Sequence, residues 1–471
     1  MLSKTINNLE KFMFFGISGS ILGILIYNVF HYDQILGYDG EAHSAYIDNF
    51  LNMFWPGRST RLSAELTYEY FSPPLPYAFP AFINEVCKMY FSSQNIYEDC
   101  RVLYSFTNMI FQSILYIFTL LIYMKIIKVF TNNKKFLNIN ILLLIGIFTA
   151  NYRTISMLRG ETYVILFNSI LLYQFLKLFK NSFEYDKSDL ILSGFIIGFL
   201  ALSKQWAFLL FPSYFLLIFL ITDKKKRYKY FKYLSAVFAL GFIVSSWFYF
   251  NLYFDYGTFT AFNKEPVPFS FSNQPLSFYL PVGEEVMMVF TKPIRPYFLN
   301  QFFPVLYSDL WGDYWGYFTF TSRALDIGRN QLLIGDYLAR VNIFSLIPTL
   351  ILIIGFKRSF RYFKQRQTND KNYFIIYIIF SVLVSFFGFM WFLISYPEPS
   401  GDTNKATYII QLFHLLGLLG VVYLEKLKEI NKNRYQVITI LLYVVFFHNI
   451  SAMMSHFPLQ NQLEVISEFL K

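Results

Sequence analysis

Eleven runs of mostly apolar residues follow one another along this chain, most of them near the roughly 20 residues that carry a helix across a bilayer. They centre on 12–30, 104–124, 136–150, 161–177, 189–203, 206–222, 233–254, 341–356, 373–395, 407–424 and 436–456. The run at 136–150 is short, and only Ser203-Lys204-Gln205 divides 189–203 from 206–222. Lipid offers no partner to a backbone N–H or C=O, so segments of this kind fold as helices. The expected fold class is an all-α polytopic membrane protein with about 11 transmembrane helices. Composition agrees: of 471 residues 55% are hydrophobic and only 15% charged, where a soluble domain carries about 25% charge. A chain this rich in aromatics is not disordered. Two cysteines are too few for a disulfide scaffold or a Cys-rich zinc site.

The net charge of +10 would suggest nucleic acid in a soluble protein; here its distribution matters more. Lys and Arg favour cytoplasmic loops. With the N-terminus cytoplasmic, the inner loops are 124–135, 177–188, 223–232, 357–371 and 425–435. About 25 of the 40 basic and about 8 of the 30 acidic residues then lie inside, roughly +17 against −7 outside. The first run is too long for a signal peptide and ends in Val29-Phe30-His31, so it reads as a signal anchor. Gly19 and Gly23 have the spacing of a close helix contact. The chain is expected to be one membrane domain, 1–471, with larger extracytoplasmic segments at 31–103 and 255–340. Both are aromatic-rich, contain proline and should lie on the membrane surface as amphipathic helices and loops. No repeat, P-loop, His-Glu-x-x-His or dinucleotide fingerprint is present.

The densest acidic group of the outer face follows the first helix: Gly37-Tyr38-Asp39-Gly40-Glu41-Ala42-His43. A carboxylate where a helix leaves the bilayer is partly desolvated, which raises its pKa and makes it a better base. A solvated loop carboxylate is the alternative. Downstream, Glu69-Tyr70-Phe71-Ser72-Pro73-Pro74-Leu75-Pro76-Tyr77 sets three prolines in four positions, which stiffens the backbone as a rigid wall or as a simple re-entry turn.

Asp39, His43 and Tyr46, followed some 30 residues later by Ser72 to Tyr77, resemble the first outer loop of the GT-C superfamily. These multi-spanning glycosyltransferases use polyprenyl- or dolichyl-phosphate sugars and include the protein O-mannosyltransferases and the lipid A aminoarabinose transferase. The resemblance implies a GT-C-like fold and makes Asp39 the catalytic base, with Glu41 and His43 in support. Many members have adjacent Asp-Glu, whereas this chain has Asp39-Gly40-Glu41. Leu202-Ser203-Lys204-Gln205, Arg159-Gly160-Glu161 and Gly401-Asp402-Thr403-Asn404-Lys405-Ala406-Thr407-Tyr408 are similar to further short segments of the same group.

The chemistry fits. A lipid-phosphate leaving group gathers negative charge, which preorganised cations in a dry site stabilise best. Lys204 and Arg159 are expected at the donor phosphate, as is Arg295, fixed between prolines in Lys292-Pro293-Ile294-Arg295-Pro296. Snorkelling of Lys204 to lipid headgroups and a structural Arg159–Glu161 pair are the competing readings. Tyr307 to Tyr317 combine Asp309 and Asp313 with aromatic rings, as a carbohydrate platform or an interfacial belt. Tyr46, Asp309, Asp313, Lys405 and Tyr408 are assigned to the sugar or acceptor pocket. No metal ligand set is assigned, although Asp39, Glu41 and His43 are ligand types that a divalent cation accepts. His414, His448 and His456 are read as packing residues. Cys87 and Cys100 share the first outer segment, where an oxidising compartment would permit a disulfide.

The expected function is inverting sugar transfer from an isoprenoid-phosphate donor to an acceptor hydroxyl of a glycan, lipid or protein. It would take place on the extracytoplasmic face of a plasma membrane rather than an endoplasmic reticulum. A lipid-linked glycan flippase or an O-antigen-type polymerase or ligase would share the many spans. The first should carry ionisable groups at mid-membrane depth; the second more often places its key residues in a large late loop.

Overall fold

The computed structural model describes residues 2–54, 65–90, 96–131, 137–260, 262, 264–280, 283–319, 329–365 and 369–455. Among them all regular secondary structure is helical. Eight helices are long and apolar enough to cross a membrane: Leu9–His31, Asp99–Thr131, Glu161–Lys180, Lys224–Tyr256, Ile334–Gln365, Asn372–Ser395, Ala406–Ile430 and Lys432–Met453. The chain is thus an all-helical protein built to sit in a membrane with several passes.

Three of the eleven expected runs are not single long helices. At 136–150 the helix Ile139–Leu144 ends after six residues, and Thr149–Ser156 follows. The carbonyls freed at that break are taken by side chains: Asn151 Nδ2 donates to Ile145 O at 2.7 Å and Tyr152 Oη to Gly146 O at 2.7 Å. Lys187–Ala201 has 15 residues, about 22 Å of helix, short of the roughly 30 Å of a hydrocarbon core. Gln205–Leu220 is a shorter apolar helix that alternates between 3-10 and α turns. The interrupted 137–158 segment still runs from one end of the bundle to the other. Asn138 and Asn140 both donate to Glu425 near one end, and Arg159 reaches Tyr38 O at the opposite end.

Close helix contacts are made where side chains vanish. A Cβ on Gly355 would lie 2.7 Å from Gly420 Cα, and one on Gly241 2.5 Å from an Ile197 side-chain carbon. The Gly19 and Gly23 pair does not serve this purpose, because among the described residues nothing lies within 4 Å of a Cβ at either position. His414 packs inside, with Nε2 2.8 Å from Asn151 Oδ1, and His448 packs against Phe344 with centroids 4.2 Å apart; His456 lies outside the described residues.

The two segments expected on the outer face are less superficial than expected. In the first, Gly40–Asp48 and Leu75–Tyr90 bury Tyr46, Ile47, Tyr77 and Ala81 with Leu202, Phe248 and Leu252 from the bundle. Cys87 and Cys100 are joined by a disulfide. In the second, Phe302–Trp311 sinks into the main core with Trp311, Tyr314 and Trp315. Residues before it strap the end of Asn372–Ser395, where Val267 N–H, Asn273 and Gln274 donate to the terminal carbonyls of Ser395, Ile394 and Leu393. Those carbonyls have no partner within the helix, so the strap is anchored there and carries Phe262 over the aromatic cluster of Trp206, Phe392 and Tyr396.

Candidate functional site

Gly160 is the point on which the site is assembled. A Cβ there would sit 2.0 Å from Ser203 O and 3.1 Å from Pro76 Cγ, so only glycine lets these backbones meet. Leu75 N–H donates to Leu202 O at 3.1 Å, and Gln205 Nε2 to Phe71 O at 2.8 Å. Three motifs far apart in the chain, 71–76, 159–161 and 202–205, therefore share one junction.

Asp39 enters from a second tight turn. It precedes the helix Gly40–Asp48 with φ 54°, in the left-handed region that Asp tolerates better than most residues. A Cβ on Gly40 would fall 2.2 Å from Ile35 O. The Asp39-Gly40-Glu41 spacing thus has a steric cause, since no larger residue fits between the two acids. Glu41 is exposed on the first turn of that helix and points acidic charge at its N-terminus, which is favourable there.

Beside this junction opens a small cleft of about 80 Å³, with Asp39, Glu69, Arg159 and Lys204 on its polar side. Trp206, Phe262, Phe392 and Tyr408 form its aromatic wall, where the Trp206 and Tyr408 rings stack 5.5 Å apart. Lys405 stands next to it, its Nζ 4.3 Å from the Tyr38 ring and 5.6 Å from Tyr408. Arg159 lies over the same two rings at 5.0 and 5.5 Å and donates to Tyr38 O at 3.0 Å.

The cations here are buried but loosely answered, whereas Asp39 is exposed. Arg159, Lys204 and Lys405 are 2%, 8% and 4% exposed. Glu161 lies 3.8 Å from Arg159 and 4.0 Å from Lys204, and neither of its oxygens has a hydrogen-bond partner. Lys405 is 3.3 Å from Asp402, which is exposed. An incompletely paired buried charge is costly, and among the buried groups the cations Arg159, Lys204 and Lys405 outnumber the carboxylates Glu69 and Glu161, which favours an anionic ligand.

Glu69, which in the sequence only opens the proline turn, is a buried carboxylate. It lines the cleft, accepts from Ser72 Oγ at 2.6 Å and stands 3.9 Å from His43 Nδ1. Burial pushes its pKa up, against the opposing pull of Lys204 and the Ser72 hydrogen bond. His43 is held by Tyr77 Oη at 2.7 Å. Burial, reinforced by Arg159, Lys204 and Lys405, lowers its pKa well below the usual value, so it is a neutral support. Tyr46 donates to Ser72 O at 2.9 Å and stacks on Tyr77 at 4.1 Å, which makes it a brace for the proline turn. Among the described residues no three His, Cys, Asp or Glu side chains gather as a metal site.

Asp309 and Asp313 lie apart from the cleft lining. Both are fully buried, and Arg153 lies 2.8 Å from Asp309 Oδ1 and 3.3 Å from Asp313 Oδ1. They therefore form neither an exposed sugar platform nor an interfacial belt. Arg295 is also outside the lining; its guanidinium faces the Tyr317 ring at 5.5 Å, and Tyr317 packs on Tyr38 at 4.5 Å. Arg153 escapes the sequence reading, because it lies between the apolar runs 136–150 and 161–177, where no motif marks it. Among known proteins, no family model and no curated sequence matches the chain.

Proposed function

We propose that this chain is a GT-C-like membrane glycosyltransferase that moves a sugar from an isoprenoid-phosphate donor to an acceptor hydroxyl. The observation that carries this reading is the meeting of Asp39, Arg159 and Lys204 at one cleft beside a surplus of buried cations. In the proposed step the acceptor oxygen attacks the anomeric carbon and Asp39 takes its proton. The bond from that carbon to the phosphate oxygen breaks, and the electron pair leaves with the isoprenyl phosphate. Displacement from the opposite side inverts the configuration. The leaving phosphate gains negative charge in the transition state, where Arg159, Lys204 and Lys405 stabilise it.

Eleven passes with a cytoplasmic N-terminus would set this cleft on the extracytoplasmic side, in a plasma membrane. The Cys87–Cys100 disulfide on the Asp39 side of the bundle supports that orientation, because disulfides persist in oxidising compartments.

The test is transfer in proteoliposomes from a panel of radiolabelled polyprenyl-phosphate sugars, wild type against Asp39→Asn. Loss of the base should slow transfer by about 10²–10⁴-fold while the protein stays folded. Equal rates would remove Asp39 from the chemistry. No transfer from any donor, with lipid-linked glycan crossing the bilayer instead, would replace the proposal with a flippase.

A further inference from the structure

The cleft is braced from behind by one arginine that does not line it. Arg153 is 1% exposed, on the fully buried helix Thr149–Ser156. Its Nη2 donates to Asp309 O at 2.6 Å and lies 2.8 Å from Asp309 Oδ1. Its Nη1 donates to Gly312 O at 2.9 Å and lies 3.3 Å from Asp313 Oδ1. One planar fork therefore addresses two carboxylates and two carbonyls, which a lysine's single ammonium cannot do.

Each carboxylate passes this anchorage toward the cleft. Asp309 Oδ2 accepts the Ala406 N–H at 2.7 Å, the peptide group that follows Lys405. Trp315 Nε1 donates to Asn404 O at 3.3 Å on the other side of Lys405. Asp313 Oδ2 accepts the Phe318 and Thr319 N–H groups at 2.9 and 2.7 Å. That turn carries Tyr317, whose ring packs on Tyr38 and whose carbonyl accepts from Tyr32 Oη at 2.7 Å. Tyr38 is the ring that both Arg159 and Lys405 face.

We propose that Arg153 is a positioning residue, acting through Asp309 on the Lys405 backbone to hold the Lys405 ammonium at the height where the cleft receives an anionic phosphate. This rests on the reading of the cleft as an isoprenyl-phosphate site. Lys405 has a long, flexible stem, and a charge-assisted hydrogen bond to the peptide group next to it restricts where that stem starts. Arg153 touches no ligand. Its contribution to binding is geometric and passes through Asp309 to Lys405.

A double-mutant cycle separates this from a merely structural role, since residues coupled through one contact give non-additive effects while independent sites add. The probe is polyprenyl phosphate, with its affinity measured for the full-length protein in nanodiscs. Lys405→Gln is expected to weaken binding by about tenfold or more, in the range of one hydrogen bond to a charged group. Asp309→Asn alone should weaken it several-fold, and the double variant should bind like Lys405→Gln. The same cycle with Arg153→Lys, which keeps the charge and loses the fork, serves if Asp309→Asn does not fold. Additive losses, or wild-type affinity in Asp309→Asn and Arg153→Lys, would overturn the proposal while leaving the cleft's reading intact. Failure of the wild type itself to bind would remove both.

Discussion

Two groups of buried charges sit side by side in this protein and are satisfied to different degrees. Around Arg153 the contacts run from 2.6 to 3.3 Å, and two carboxylates and two carbonyls answer one guanidinium. Around Arg159 and Lys204 the distances to their shared carboxylate are 3.8 and 4.0 Å, and that carboxylate accepts no hydrogen bond. Composition does not separate the groups, since both use Arg with Asp or Glu at similar burial. Geometry does. A buried ion pair holds a fold only when contacts are short and the remaining lone pairs are filled. The first group has the short contacts and, apart from Asp309 Oδ1 and Arg153 Nε, the filled hydrogen bonds, and it braces the structure, while the second keeps its cations available to an incoming charge.

The largest expected effect breaks the comparison at its satisfied side. Arg153→Met strands two buried carboxylates, and removing one partner of a buried pair costs about 3–5 kcal/mol. Lys204→Met at the loose side leaves Arg159 with Glu161 and should change stability by less than about 1 kcal/mol, within the range of ordinary substitutions, while weakening polyprenyl-phosphate binding. Thermal unfolding of both variants in one detergent decides the matter. Equal losses of stability would mean that the two groups are not different in kind.

Gly160→Ala sharpens the comparison by altering the loose group without touching a charge. The new methyl would be 2.0 Å from Ser203 O, so the 159–161 and 202–205 segments must separate. Overpacking of this sort costs about 1–3 kcal/mol, and here it would also draw Lys204 away from Arg159. The expected result is a folded protein with weakened polyprenyl-phosphate binding. Unchanged affinity at a lowered melting temperature would show that the cleft tolerates a shift between its cations.

Much of this was legible in the residues themselves. Hydropathy marks the eight long helices because apolar length is what a bilayer demands. It could not show that 136–150 is broken, since side-chain apolarity is blind to a turn whose carbonyls are taken by Asn151 and Tyr152. The motifs at Asp39, Arg159, Lys204 and Tyr408 were visible, and the fold brings all four to one cleft. Asp309 and Asp313 looked like sugar ligands because rings surround them in sequence. The arginine that answers them stands more than 150 residues earlier in the chain, and a local motif carries no information about a partner that only tertiary packing supplies. Glu69 was hidden for the opposite reason, because its neighbouring prolines drew attention to the backbone.

The smallest expected effect concerns that carboxylate and reads the loose group through pH. Burial raises the Glu69 pKa in the folded protein, so the native state holds this proton more tightly than the unfolded chain. Linkage then has one sign. As pH rises from the ordinary carboxylate range through the raised folded value, Glu69 ionises in a buried site and native stability falls. His43 works the other way: its pKa is lowered by burial and by nearby cations, so its share of stability is lost as pH falls below the ordinary histidine range. Glu69→Gln keeps the acceptor for Ser72 and removes the ionisation. Its melting temperature should gain on the wild type as pH rises from acid toward neutral, and the gap should close again on acidification. If the gap ran in the reverse direction, with the wild type gaining as pH rises, the cations Lys204 and Arg159 would already satisfy Glu69 in full. The cleft would then be as closed a group as the one around Arg153, and the difference between the two would disappear.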